Sequence, residues 1–201
     1  MIRNVVFDLG NVLINNDPWD YILSLGYDEE TSKKLNDRIC QRKLWKKMDL
    51  GNYDSISDVI EEFISENMDL RTEIRSFFSE GWMQLYRLIP QTERFLNKLF
   101  DQGYHLYILS NYSREGFEYI AEKYDFVKKT KGGVVSADVH CIKPNLRIYD
   151  ILLEKYNLNP CETVFIDDCE ENIIAAGERG IHGIVFSDAN SASEEIELFN
   201  A

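Results

Sequence analysis

The chain has no uncharged apolar run near the ~18 residues that a membrane span requires, so no role in a membrane is expected. The apolar stretch Val5-Val6-Phe7 after Arg3 stops at Asp8, too short for the core of a signal peptide. Four cysteines, Cys40, Cys141, Cys161 and Cys169, show no C-x-x-C spacing and are too sparse for a disulfide scaffold. Reduced thiols and a cytoplasmic location are the corresponding expectation. Three isolated histidines, His105, His140 and His182, form neither an H-x-H nor an H-E-x-x-H pattern, which argues against zinc chemistry and against a Ser-His-Asp triad. Positive charge is also in short supply. The 22 Lys and Arg against 35 Asp and Glu leave a formal net charge of −13, the reverse of the field a nucleic-acid binder uses. An acidic chain that handles phosphate must do so locally, through a metal ion, a few cations and backbone amides.

What is present reads as a globular chain. Its 201 residues, 44% hydrophobic and 28% charged, suit one good core, or one core with a small insertion. A monomer is the expectation at this size. Residues 2 to 7 predict a buried strand that ends at Asp8-Leu9-Gly10-Asn11, and further strands are predicted at Tyr104 to Leu109, Thr163 to Ile166 and Gly183 to Phe186. Their unbroken apolar character indicates cover on both faces, as in a parallel sheet. Helical patterns fill the gaps. One opens at Pro90 with Phe95, Leu96, Leu99 and Phe100 on a single face, another at Pro144 with Leu146, Tyr149, Leu152, Leu153 and Tyr156, and a shorter one spans about Glu171 to Arg179. The alternation predicts an α/β fold with a doubly wound, Rossmann-like parallel sheet, whose ligands sit at the carboxyl ends of the strands.

Residues 17–88 are too long for one crossover and are helical in period throughout, as in Val59, Ile60, Phe63 and Ile64 after the possible caps Ser55 and Ser57. They predict an all-helical insertion after the first strand, set over the strand ends, with residues 1–16 and 89–201 forming the α/β core. Trp19, Trp45, Trp82 and Tyr86 within it fit core packing first and contact with a sugar ring second.

Asp8, Ser110-Asn111, Lys143 and Asp167-Asp168 would converge at one sheet edge. Singly, each is ordinary turn or surface chemistry. The Asp167-Asp168 pair is harder to explain that way, because adjacent carboxylates at the end of a buried strand repel unless something positive lies near. Together the four suit phosphoryl transfer: a carboxylate nucleophile, oxygen ligands for Mg²⁺, and a lysine and hydroxyl to orient the transferring oxygens.

The motifs Val5-Val6-Phe7-Asp8-Leu9-Gly10-Asn11-Val12-Leu13, Ile108-Leu109-Ser110-Asn111, Lys143-Pro144 with Ile148-Tyr149, and Val164-Phe165-Ile166-Asp167-Asp168 with Asn172 resemble, in order, the four motifs of the haloacid dehalogenase superfamily of phosphatases. The resemblance covers essentially the whole chain, with the insertion in the place of the family's helical cap. It implies that Asp8 is the nucleophile and a Mg²⁺ ligand, with the Gly10 carbonyl and Asp167 as further ligands. Asp168 would hold a metal-bound water or orient Lys143. Ser110, the Asn111 amide and Lys143 would grip the phosphoryl oxygens, and Asn172 would steady the last loop. The form D-L-G-N-V is similar to a branch with bacterial glucose-1-phosphate phosphatases and the N-terminal phosphatase domain of epoxide hydrolases. One departure stands out. The phosphatase pattern has a second Asp two residues after the nucleophile, as general acid and base, where this chain has Gly10. General acid-base help is typically worth ~10²–10⁴ in rate, so either a slower enzyme or a proton donor from the cap follows. Three readings stay open: a Mg²⁺-dependent hydrolase of a small phosphorylated metabolite, sugar phosphates first; a metal-independent dehalogenase; and a degenerate member that binds a phosphorylated ligand or a partner protein without turnover.

Overall fold

Short runs of β-branched and aromatic residues build the centre of the molecule: β1 (Asn4–Phe7), β4 (His105–Ser110), β5 (Gly133–Val135), β6 (Thr163–Asp167) and β7 (His182–Val185). The computed structural model describes residues 1–200, apart from the side chain of Arg42. The five strands form one sheet in the order β5-β4-β1-β6-β7, every pair parallel. Side chains alternate across it. Val5, Phe7, Leu106, Ile108, Val164 and Ile166 enter one apolar core, while Val6, Tyr107, Leu109, Val134 and Phe165 enter the other. Two buried faces explain why the strands read as unbroken apolar runs.

Helices cover both faces. On the first lie α6 (Pro90–Asp101), through Phe95, Leu96 and Leu99, α7 (Arg114–Lys123), through Ile120, and α11 (Ala189–Asn200), through Ala192 and Ile196. On the second lie α9 (Leu146–Tyr156), through Ile148, Tyr149 and Leu152, and α10 (Glu170–Gly177), through Ala175 and Ala176. Pro90 starts α6 as anticipated. Pro144 does not start α9; Asn145 caps that helix, its side chain accepting from the Arg147 N–H at 3.0 Å. A fifth strand, β5, was not anticipated. It is three residues long and begins at Gly133, where a Cβ would stand 2.7 Å from the Ile108 carbonyl oxygen of β4, so close strand pairing there needs glycine.

Between β1 and β4 the chain forms a short ribbon, β2 (Ile14–Asn15) antiparallel to β3 (Arg87–Leu88). Five helices lie between the ribbon's strands: α1 (Trp19–Ser24), α2 (Glu29–Ile39), α3 (Arg42–Leu50), α4 (Ile56–Glu66) and α5 (Arg71–Phe77). Ser55 caps α4 as expected. Buried Ile22, Leu35, Ile39, Met48, Phe63, Ile74 and Phe77 join this segment to the first core of the sheet. Trp82 and Tyr86 are buried in the same aromatic cluster, and Trp45 lies half-buried beside it.

Candidate active site

β1 lies at the middle of the sheet, and the strand order reverses around it, β4 to one side and β6 to the other. A crevice at the carboxyl ends of the strands is the consequence, and the polar residues that end the three strands open into it. Asp8 follows β1, Ser110 ends β4 and Asp167 ends β6; all three are buried. Lys143 comes from the loop before α9. Its Nζ is 2.9 Å from Asp8 Oδ1 and 2.6 Å from Asp167 Oδ2, and donates to the Leu109 carbonyl at 3.0 Å.

The Lys143 backbone is fixed from both sides by one residue. Its N–H donates to Asn111 Oδ1 at 2.7 Å, and its carbonyl accepts from Asn111 Nδ2 at 3.0 Å. The Asn111 side chain is therefore committed to holding the lysine, which leaves its main-chain N–H as the group able to face a ligand. Asn172 on α10 donates to both Asp167 oxygens at 3.0 Å, and Asp167 Oδ1 also accepts from the Cys169 N–H at 2.8 Å. The Tyr149 hydroxyl in turn donates to the Asn172 carbonyl at 2.9 Å. Tyr149 stands in the third of the resembling motifs, but its place in the α9 stripe reads as core, and its support of Asn172 comes from the structure.

Asp8 Oδ1 accepts from the Leu9 N–H at 2.7 Å and from Ser110 Oγ at 2.6 Å as well as facing Lys143, which leaves Oδ2 as its uncommitted oxygen. Burial raises its pKa to about 6, with Lys143 pulling down and Asp167 pushing up. Burial also works against the Lys143 charge, but the two carboxylates outweigh it and hold its pKa above the usual lysine value. Asp168 is exposed. It accepts from Asn11 Nδ2 at 3.0 Å and does not touch Lys143. Asn11 sits at φ 56, the left-handed region that Asn tolerates better than most residues.

Asp8, Asp167 and Asp168 each offer an oxygen within 4.8 Å of the others. An all-oxygen donor set of this kind suits Mg²⁺ rather than zinc or copper. Gly10 lies beside them. A Cβ there would stand 2.8 Å from Asn16 Nδ2, and Asn16 Oδ1 accepts from the Tyr112 hydroxyl at 2.6 Å, so a pinned amide occupies the space that a side chain at position 10 would enter.

A cavity of about 250 Å³ adjoins the crevice, walled by Asn16, Pro18, Trp45, Asp49, Tyr86 and Asn111 among others. It is small by the standard of drug-sized pockets and suits a small metabolite. A larger open groove involving Arg3, Tyr104, His105 and Asn200 lies at the amino ends of the strands, away from Asp8.

The family model for haloacid dehalogenase-like hydrolases matches residues 5–186. A sesquiterpene phosphatase of Aspergillus oryzae is 26% identical over 96% of this chain and 94% of its own. A D-ribitol-5-phosphate phosphatase of Bacteroides thetaiotaomicron is 24% identical over 98% and 97%. Among solved structures, a mutant HAD family enzyme of B. thetaiotaomicron, in complex with magnesium and inorganic phosphate, superposes with a TM-score of 0.71 at 21% identity, over 94% of this chain and 95% of that one. A HAD-like hydrolase of Porphyromonas gingivalis superposes at 0.70 and 19% identity over 100% and 99%. At these identities the structural likeness establishes the α/β fold.

Proposed function

The chain belongs to the haloacid dehalogenase-like hydrolase family, and from that premise we propose that it is a Mg²⁺-dependent phosphatase of a small phosphomonoester, a sugar phosphate such as glucose 1-phosphate first, working through an aspartyl-phosphate on Asp8. One observation carries the reading: a buried cation, Lys143, bridges two buried carboxylates at adjacent strand ends, with a hydroxyl, Ser110, 2.6 Å from the first. The full-length relatives named above are phosphatases, which supports the reaction class.

In this reading each residue has a distinct task. Asp8 attacks phosphorus through Oδ2, because Ser110, the Leu9 N–H and Lys143 hold Oδ1 and fix the carboxylate plane. Its raised pKa still leaves it largely ionised at neutral pH. Ser110, the Asn111 main-chain N–H and Lys143 grip the phosphoryl oxygens. Asp8, the Gly10 carbonyl and Asp167 would hold Mg²⁺, and Asp168 would accept from a water on it. When bound, the metal would offset the charge that develops on the phosphoryl oxygens. Asn172 keeps Asp167 in place. The three carboxylates within 4.8 Å of one another weigh against a metal-independent dehalogenase, because Lys143 alone leaves them with a net negative charge that would repel an anionic substrate.

The test is phosphate release across a panel of sugar phosphates and other small phosphomonoesters, with Mg²⁺ or with EDTA. Release that needs the metal and is lost in Asp8→Asn supports the reading. Silence across the panel, or release that survives EDTA, sinks it.

A further inference from the structure

Cleaving an alkyl phosphate leaves an alkoxide that needs a proton, and the water that clears the phosphoryl-enzyme must lose one. Gly10 offers no side chain for either task. The carboxyl that faces this region comes from the helical segment instead. We propose that Asp49, delivered by the last turn of α3 into the cavity beside Asp8, donates the proton to the leaving oxygen and afterwards takes one from the attacking water. The inference rests on the phosphatase reading above.

The geometry starts with how α3 is held. Three consecutive residues at its end meet α8 (Ser136–Val139), the short helix after β5. The Ser136 hydroxyl donates to the Asp49 carbonyl at 2.6 Å and accepts from the Tyr112 N–H at 3.0 Å, tying α3 to the loop that carries Asn111. His140 Nδ1 is 3.0 Å from the Leu50 carbonyl. Gly51, at φ 62, lies so close that a Cβ there would be 2.4 Å from the Ala137 carbonyl oxygen. These contacts satisfy carbonyls that a helix end leaves without partners, and they lock the position of Asp49.

Asp49 meanwhile lines the cavity, its carboxyl within reach of the charges of Asp8 and Lys143. Among the described residues no donor hydrogen-bonds it, although it shares the cavity with Asn16, which covers Gly10, and with Asn111, next to Ser110. An acid in the last turn of a helix also opposes the helix dipole. Burial first and Asp8 second push its pKa to about 7, with Lys143 pulling back, so both protonation states are present at neutral pH. The other titratable groups facing it are Tyr53, Tyr86 and Tyr112, whose own pKa values lie above the usual tyrosine value, and Cys40 across the cavity. A carboxyl kept without a partner in such a place has no structural reward, which is the pattern of a functional acid.

The steps balance. Asp8 Oδ2 bonds to phosphorus as the bond to the leaving oxygen breaks; that oxygen keeps the electron pair and takes the Asp49 proton, leaving as an alcohol. Water then attacks phosphorus, gives its proton to the Asp49 carboxylate, and the bond to Asp8 breaks with its electron pair returning to the carboxylate. Inorganic phosphate leaves, and Asp49 is protonated again.

A leaving group that needs no proton separates this role from a structural one. With Mg²⁺, wild type, Asp49→Asn and Asp49→Glu are compared on glucose 1-phosphate and on p-nitrophenyl phosphate, by phosphate release and by the first-turnover burst of p-nitrophenolate. Asp49→Asn is expected to lower kcat/KM for the sugar phosphate about 10²-fold or more while the burst rate stays within a few-fold of wild type, followed by slow turnover. The retained burst also shows that the site has folded, and Asp49→Glu should recover part of the loss. A burst rate that falls as far as kcat/KM for the sugar phosphate, or no loss on the sugar phosphate, overturns the proposal. A wild-type protein silent on both substrates instead overturns the phosphatase reading itself.

Discussion

Lys143 is a buried cation whose worth lies in what its loss would leave behind. Without it Asp8 and Asp167 would face each other in the interior, and breaking a buried ion pair on one side typically costs about 3–5 kcal/mol. Lys143→Met should show a deficit of that size by urea unfolding at pH 8 in EDTA. The sign with pH is fixed by Asp8. A group whose folded pKa lies above its ordinary value, as Asp8 at about 6 against 3.8, contributes stability at low pH that is lost as pH rises through the folded value. Lys143 pulls the Asp8 value down, so removing the cation raises it further and the deficit should shrink at pH 5; equal deficits at both values would contradict the account. Asp49 follows the same logic, raised from 3.8 to about 7. Asp49→Asn removes that titration, and because the site is half-buried and screened its stability gain over wild type at pH 8 should be about 1–2 kcal/mol, smaller at pH 5, in thermal melts without metal. A gain of the same size at both pH values would mean that Asp49 is not held near neutrality by its surroundings. A variant that gains stability and loses activity is the usual trade at a functional acid.

Helix α3 and its contact with α8 set the geometry of the cavity, and Gly51 is where the two backbones meet. Gly51→Ala should lose at least about 2 kcal/mol, from left-handed strain together with the collision with Ala137. Gly26, also left-handed at φ 79 but with nothing within 4 Å of its would-be Cβ, separates the two terms. Gly26→Ala should cost about 1 kcal/mol and leave sugar-phosphate hydrolysis unchanged, whereas Gly51→Ala should lower it; matching losses in chemical denaturation would deny the close approach. Sequence signals at this scale were uneven for physical reasons. Ser55 and Pro90 act through local chemistry, a side-chain cap and a preset φ, and both stand where they were read. Pro144 misled because Asn145, the residue after it, is the true cap of α9. β5 is short and starts with glycine, so its signal lies in a neighbour's carbonyl rather than in its own pattern.

Across the whole molecule, one apolar core runs from the sheet face of Phe7 and Ile108 to Ile22 and Phe77 of the helical segment, so unfolding should be a single cooperative transition. Mg²⁺ present at ~100 times its Kd should stabilise that transition by about 2.7 kcal/mol. Asp167→Ala should lose the effect in thermal melts, and a metal-induced shift that survives it would place the ion elsewhere. The strand-end residues could be picked out from sequence because a sheet's carboxyl edge gathers whatever ends its strands, and Asp8, Ser110 and Asp167 each end or follow a buried apolar run. Asp49 could not. It lies in a helix between Lys47 and Leu50 with nothing local to set it apart, and only the docking of α3 on α8 brings it to the cavity. The claim on which the rest depends is that Asp8 carries the phosphoryl group. Intact-protein mass spectrometry of wild type and Asp8→Asn, acid-quenched during turnover of p-nitrophenyl phosphate with Mg²⁺, tests it most directly. The account predicts a gain of one phosphoryl group, mapped to Asp8 and absent from the variant; undiminished phosphate release by Asp8→Asn, or an adduct mapped to another residue, would contradict it.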